Sequence, residues 1–202
     1  MAPLFKKKPR EIPCEAMTVV VRRSLIDPNL LEVVEGEEVI CELEAPFKIW
    51  KIPRGFESLD KVKGWLKETE RKLTKNAALR LLSAKSQASK DLLRKLEMRG
   101  YSPEIASEIV DEMKRLGYLN DAEFVDRMIE SELRKGHGPK YIEMKLRSLG
   151  LSSERVRVVV TDERQRERIR KLGKKVSPQA LARRGFDLDL VFSELKNSVN
   201  NR

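Results

Sequence analysis

Any catalysis in this chain of 202 residues would have to be built from very few groups. It has one histidine, His137, and two cysteines, Cys14 and Cys41. A Ser-His-acid or Cys-His site needs an imidazole as general base, and only His137 could supply it. That residue lies in Gly136-His137-Gly138-Pro139, a composition that suits a tight connection. The expectation is therefore a turn residue rather than a base. Cys14, Cys41 and His137 lack the local spacing of zinc ligands. Cys41 sits in an apolar run and reads as a core thiol. The sequence contains neither a Walker A motif nor a glycine-rich dinucleotide loop. Carboxylates are abundant, but abundance does not identify a catalytic pair. The reading is a non-enzyme with no cofactor and no metal.

The basic residues are more informative because they are unevenly placed. Lys and Arg number 42 against 32 Asp and Glu, giving a net charge of +10. Residues 1–75 carry a net of +2 and residues 76–202 a net of +8. The densest run spans residues 164–175, where seven basic residues face only Glu167. In a helix, Arg164, Arg168, Lys171 and Lys175 would form one basic stripe. Such a stripe is either a solvated face or a phosphate-binding one, since like charges at these spacings mildly destabilise an isolated helix. A second set, Lys95, Arg99, Lys145, Arg147, Arg183 and Arg184, falls just before recurring glycines. There a cation complements the end of a helix dipole. Repeated along an array, it also builds a binding surface. Both readings stand. Lys6, Lys7 and Lys8 form a basic arm, and Trp50 and Trp65 read as packing residues rather than stacking platforms.

These side chains must be held by a β-rich start followed by a helical body. Residues 18–21 are β-branched, residues 30–34 and 39–43 flank a turn at Glu35-Gly36-Glu37, and residues 47–52 alternate around Trp50. Beyond residue 57 the apolar spacing changes from two to between three and four, which predicts helices. One pattern then occurs three times: Leu96…Gly100-Tyr101-Ser102, Leu146…Gly150-Leu151-Ser152 and Leu181…Gly185-Phe186-Asp187. The leucine closes an apolar stripe and the glycine ends the helix in a left-handed turn. The large apolar residue packs back, and the Ser or Asp caps the next helix. Ile105, Ile109, Met113 and Leu116 share one predicted face, as do Ile142, Leu146 and Leu149. Asn120 lies three before Glu123, the spacing of a capping box. Val156, Val158, Val159 and Val160 are assigned to a helix despite their β-branching, because they follow a capped glycine turn as residues 105–110 do.

The fold expected is mainly α: tandem three-helix repeats in an elongated curved array, with a small β-rich N-terminal element. The boundaries are 1–56 for that element and its arm, 57–74 for a connecting helix, and 75–116, 117–162 and 163–202 for three repeats, the third shortened. With an apolar fraction of 40% a packed core is available. Two cysteines suit a reducing compartment, the start has no signal-peptide core, and no apolar run approaches a membrane span. A monomeric cytoplasmic protein is expected.

Several of these segments resemble one family. Ala77-Ala78-Leu79-Arg80-Leu81-Leu82 with residues 92–100 is similar to the first repeat of the RecX family. Gly117-Tyr118-Leu119-Asn120-Asp121-Ala122-Glu123-Phe124 resembles its most diagnostic motif. Gly136-His137-Gly138-Pro139 follows, with Ile142, Leu146 and Gly150 at helical intervals, and Arg183-Arg184-Gly185-Phe186 resembles the third repeat's signature. The resemblance covers about residues 75–198. It implies a non-catalytic regulator that lies in the groove of a RecA–DNA filament and modulates, chiefly by inhibition, recombinase activity in DNA repair and recombination. The alternative is a stand-alone basic helical protein that binds nucleic acid directly.

Overall fold

β-Branched residues and one glycine turn build the N-terminal sheet. In a computed structural model, which describes residues 19–200, strands β1 (Val20–Arg23), β2 (Leu30–Glu35) and β3 (Glu38–Glu44) pair antiparallel in sequential order. Val21 stands opposite Val33, and Val33 opposite Cys41. Gly36, at φ +60°, takes the first place of the two-residue connection between β2 and β3, where glycine is favoured. Thr18, Cys14 and the Lys6–Lys7–Lys8 arm lie outside the described residues.

The strand expected at residues 47–52 is not formed. Pro46 and Pro53 bracket the segment and remove donors at both ends. The carbonyls there find a side chain instead: Arg23 donates to Ala45 O and Phe47 O, each at 3.1 Å. The sheet is extended by a single bridge, Val19 to Phe56, with N–H···O distances of 3.1 and 2.8 Å. Trp50 does not pack in a core. It is 79% exposed, with Lys48 Nζ 3.9 Å above its ring. Trp65 meets the packing expectation, half-buried against Phe56 and the cluster of Val19, Val21, Leu31, Val33 and Phe47. Cys41 packs against the same cluster.

Nine helices follow among the described residues: α1 (Leu59–Ala84), α2 (Ser89–Glu97), α3 (Pro103–Arg115), α4 (Asp121–Arg134), α5 (Pro139–Ser148), α6 (Glu154–Val159), α7 (Asp162–Gly173), α8 (Pro178–Arg183) and α9 (Leu188–Asn200). α1 runs unbroken through residues 74 and 75. The valine-rich segment is helical, as its glycine turn predicts, and Val156 and Val160 bury its inner face. By compactness the described residues form two units, 19–76 with 97–106 and 77–96 with 107–200. In the second unit, α4, α5 and α6 enclose Val125, Ile129, Ile142, Leu146 and Val156. α7, α8 and α9 enclose Ile169, Leu181, Phe186 and Val191. Each buried side chain of this size contributes roughly 1.5–3 kcal/mol of transfer free energy.

The three recurrent glycines, Gly100, Gly150 and Gly185, all have φ between +68° and +88°. Leu151 N donates to Leu146 O at 3.0 Å and Phe186 N to Leu181 O at 3.3 Å, the backward bonds that close such helix ends. The predicted cap forms in the third copy, where Asp187 Oδ1 accepts from Asp189 N; in the second, Ser152 Oγ accepts from Glu154 N at 3.3 Å, but the residue that caps α6 is Ser153, whose side chain makes no cap bond. Asn120 Oδ1 accepts from the N–H groups of Ala122 and Glu123 at the start of α4. Leu116 departs from its expected face. Ile105, Ile109 and Met113 are buried, but α3 ends at Arg115 and Leu116 turns out to 53% exposure at Gly117.

The glycine turns also seat each repeat on the one before it. A Cβ on Gly185 would lie 2.4 Å from Tyr141 N at the start of α5, and one on Gly138 would lie 2.4 Å from Gly185 C. That close approach is fastened by Gly138 N donating to Arg184 O at 2.7 Å and Lys140 N to Gly185 O at 3.1 Å. In the same relation Gly150 meets Lys90 at the start of α2. The first turn seats on the sheet element: Gly100 abuts Pro46, Tyr101 stacks on Phe47 at 5.7 Å, and Ser102 N donates to Glu70 Oε1 at 2.5 Å.

Candidate partner-binding surface

Each expected cation has a definite place. Arg164 pairs with Glu130 at 2.9 Å and donates to Val159 O at 3.0 Å. Arg168 donates to Leu133 O at 2.8 and 3.0 Å and to Arg134 O at 2.9 Å, closing the C-terminal end of α4. Lys171 pairs with Glu167 at 2.5 Å. α7 ends at Gly173, so Lys175 lies beyond the helix and the stripe has three members, not four. All three are committed to neighbouring backbone or acid. The run of like charge is thus neutralised locally, by Glu130 and by the carbonyls at the end of α4.

The cations before the glycines divide. Arg147 reaches Glu143 at 3.3 Å and Ser153 Oγ at 3.3 Å. Arg184 lies against the Gly136 turn. Arg99, Lys175 and Arg183 are exposed, with no ion-pair partner among the described residues. Lys95 and Lys145 come together on one cleft. Lys95 Nζ donates to Gln87 Oε1 at 2.6 Å and to Asp91 Oδ2 at 2.7 Å. Lys145 Nζ lies 2.9 Å from Glu132 Oε1.

Glu132 is the electrostatic centre of this cleft. It is only 3% exposed and accepts from Lys135 at 2.8 Å, from Lys145 at 2.9 Å and from His137 Nδ1 at 2.7 Å. Against an ionised carboxylate that ring nitrogen must carry the proton. Burial alone would raise the Glu132 carboxyl, but hydrogen bonds from Lys135, Lys145 and His137 outweigh it and hold it at about 2. His137 also stacks on Tyr141 at 4.0 Å, and its N–H closes the turn to Glu132 O. Its contacts are those of a structural turn residue. Among the described residues no three His, Cys, Asp or Glu side chains cluster as metal ligands.

The cleft, of about 450 Å³, lies between residues 85–95 and helices α4 and α5. Phe124, Met128 and Leu149 are half-buried in it, and Lys85, Arg127 and Lys135 join Lys95 and Lys145 around its rim. Ser89 N and Oγ both donate to the Asp121 carboxylate, which joins the start of α2 to that of α4. Sequence reasoning did not single out Phe124, Met128, Lys135 or Glu132 as functional. Their signal was a second stripe on α4, Phe124, Met128, Ser131 and Lys135 at steps of four, three and four, beside the buried stripe of Val125, Ile129 and Leu133.

Small capped helical units, joined by glycine turns and studded with surface cations, define a helical-repeat protein. The comparisons with known proteins agree. A family profile described as RecX, first three-helix domain, matches residues 75–113. Regulatory protein RecX of Legionella pneumophila (strain Corby) is 30% identical over 142 residues, covering 61% of this chain and 95% of that protein. Regulatory protein RecX of Stenotrophomonas maltophilia (strain R551-3) is 30% identical over 130 residues, covering 56% and 80%. The crystal structure of RecX from Lactobacillus salivarius matches at a TM-score of 0.59 and 22% identity, over 63% of this chain and 96% of that one. A crystal structure of regulatory protein RecX, 15% identical with a TM-score of 0.59, covers 86% and 96% and carries the likeness of fold further along the chain. This chain belongs to the RecX family. No helix among the described residues is long and apolar enough to cross a membrane.

Proposed function

We propose that this chain is a non-catalytic, cofactor-free regulator that binds the RecA–DNA filament and restrains recombinase activity in DNA repair and recombination. The observation that carries this is the recurring seat of one glycine turn on the second helix of the preceding repeat. Lys95, Lys145 and Arg183 thereby occupy equivalent last turns of α2, α5 and α8. A filament presents its phosphates and acidic side chains at regular intervals, which suits cations repeated in this way. The names of the relatives, regulatory protein RecX, support the regulatory part of the reading. Direct binding to bare nucleic acid is the competing reading, because the open cations Arg99, Lys175 and Arg183 would serve a bare phosphate chain as readily as a filament.

Co-sedimentation separates the two. The purified chain is mixed at near-physiological salt with RecA preassembled on single-stranded DNA, and in parallel with the same DNA alone. Selective pelleting with the filament is the expected result. Equal binding to bare DNA, lost steeply as salt rises, would replace the proposal with the competing reading, and binding to neither would overturn both.

A further inference from the structure

The cleft around Glu132 differs from the rest of the basic surface because its floor is apolar. Phe124, Met128 and Leu149 line it and are left half-buried. Around them stand Lys85, Lys95, Arg127, Lys135 and Lys145, against two carboxylates, Asp91 and Glu132. Both carboxylates are already engaged, Asp91 by Lys95 and Arg94 and Glu132 by Lys135, Lys145 and His137. With Glu123, which pairs with Arg127 at 3.7 Å, also counted, the rim keeps an excess of two positive charges. Lys85 is exposed with no ion-pair partner among the described residues, and Arg127 is held toward the cleft by Ser86 Oγ at 3.0 Å.

We infer that this cleft receives an acidic peptide segment of a protein partner, with one bulky apolar side chain on the Phe124–Met128–Leu149 floor and flanking carboxylates on Lys85 and Arg127. The inference rests on the regulator reading for its biological setting and adds to it a contact with protein rather than with phosphate. A phosphodiester chain would satisfy the rim but leave the apolar floor wet, and bases have only the one ring of Phe124 to stack on. An acidic segment with an apolar anchor satisfies both. A cleft of about 450 Å³ is in the range that encloses ligands of a few side chains. Lys95, Lys135 and Lys145 are held by their acids, so they shape the rim without further loss of side-chain freedom on binding.

The test uses the full chain and a fluorescently labelled seven-residue peptide of aspartate and glutamate with a central phenylalanine. Binding is followed by anisotropy and by the NMR signal of the Met128 methyl group. The expected result is saturable binding that perturbs Met128 and weakens at least tenfold when the central phenylalanine becomes serine. Lys85→Glu and Arg127→Glu should each weaken it by about threefold to tenfold. Lys196→Glu, on α9 and with the same change in net charge, should leave it unaltered. The inference is overturned if the peptide does not saturate, if all three reversals act equally, or if oligothymidylate displaces it at matching concentration. None of these failures touches the filament reading, which the sedimentation experiment decides independently.

Discussion

Replacing Glu132 by glutamine tests the electrostatic centre of the cleft without changing its shape. The carboxyl is lowered from an ordinary value of 4.5 to about 2, against the opposing effect of burial. A depression of that size corresponds to about 3 kcal/mol favouring the ionised form in the folded chain. Solvent reaches Lys135 and Lys145, whose side chains are 57% and 37% exposed, so screening reduces the expected cost of Glu132→Gln to about 2 kcal/mol. At about 2 kcal/mol per molar urea, the unfolding midpoint at pH 7 should fall by about 1 M. The pH dependence has a definite sign. Because the folded-state value is depressed, the stabilisation is fully present above pH 4.5 and is lost as pH falls toward 2. Roughly half or more of the difference between native chain and variant should therefore be gone at pH 3. A midpoint shift below about 0.2 M at pH 7, or a difference of the same size at pH 3, would refute the reasoning.

Other consequences concern packing and the committed cations. Gly138→Ala would place a methyl group 2.4 Å from backbone atoms of Gly185 and Phe186, which cannot retreat, and should cost about 3 kcal/mol or more in urea unfolding. Gly64→Ala, within α1 and with open space around the new methyl, should instead stabilise by about 0.5–1 kcal/mol. Arg168→Ala removes the three bonds to Leu133 O and Arg134 O and should cost about 1–2 kcal/mol, with filament affinity unchanged when measured well below the melting temperature. A tenfold loss of affinity from Arg168→Ala without a loss of stability would restore a phosphate-binding role to that residue.

The helical repeats were legible because their punctuation is local. A glycine forced to positive φ, a large apolar residue after it and a polar cap are all written within six residues, and Gly185-Phe186-Asp187 carries them all. The fourth strand was misread because alternation at residues 47–52 outweighed Pro46 and Pro53, and Arg23, distant in sequence, takes the carbonyls a ladder would use. Trp50 illustrates the same limit: its exposure depends on where the chain leaves the sheet. For the basic residues, sequence supplied identity but not partners. Nothing near Arg168 in sequence indicates that it closes α4, 34 and 35 residues away. The Glu132 cleft was invisible for a related reason. Its rim comes from the connection between α1 and α2, from α2, and from α4 and α5, and only folding gathers them.

The central claim is that cations left open by the helical array act on the RecA filament. The most direct measurement is the DNA-dependent ATP turnover of RecA on single-stranded DNA, titrated with the native chain and with a Lys175→Glu, Arg183→Glu double variant. Both side chains are exposed without ion-pair partners among the described residues, so the variant should keep its melting temperature. The native chain should suppress turnover, and the variant should need at least tenfold more protein for the same effect. A native chain that leaves turnover unchanged, or a variant with an identical titration, would contradict it.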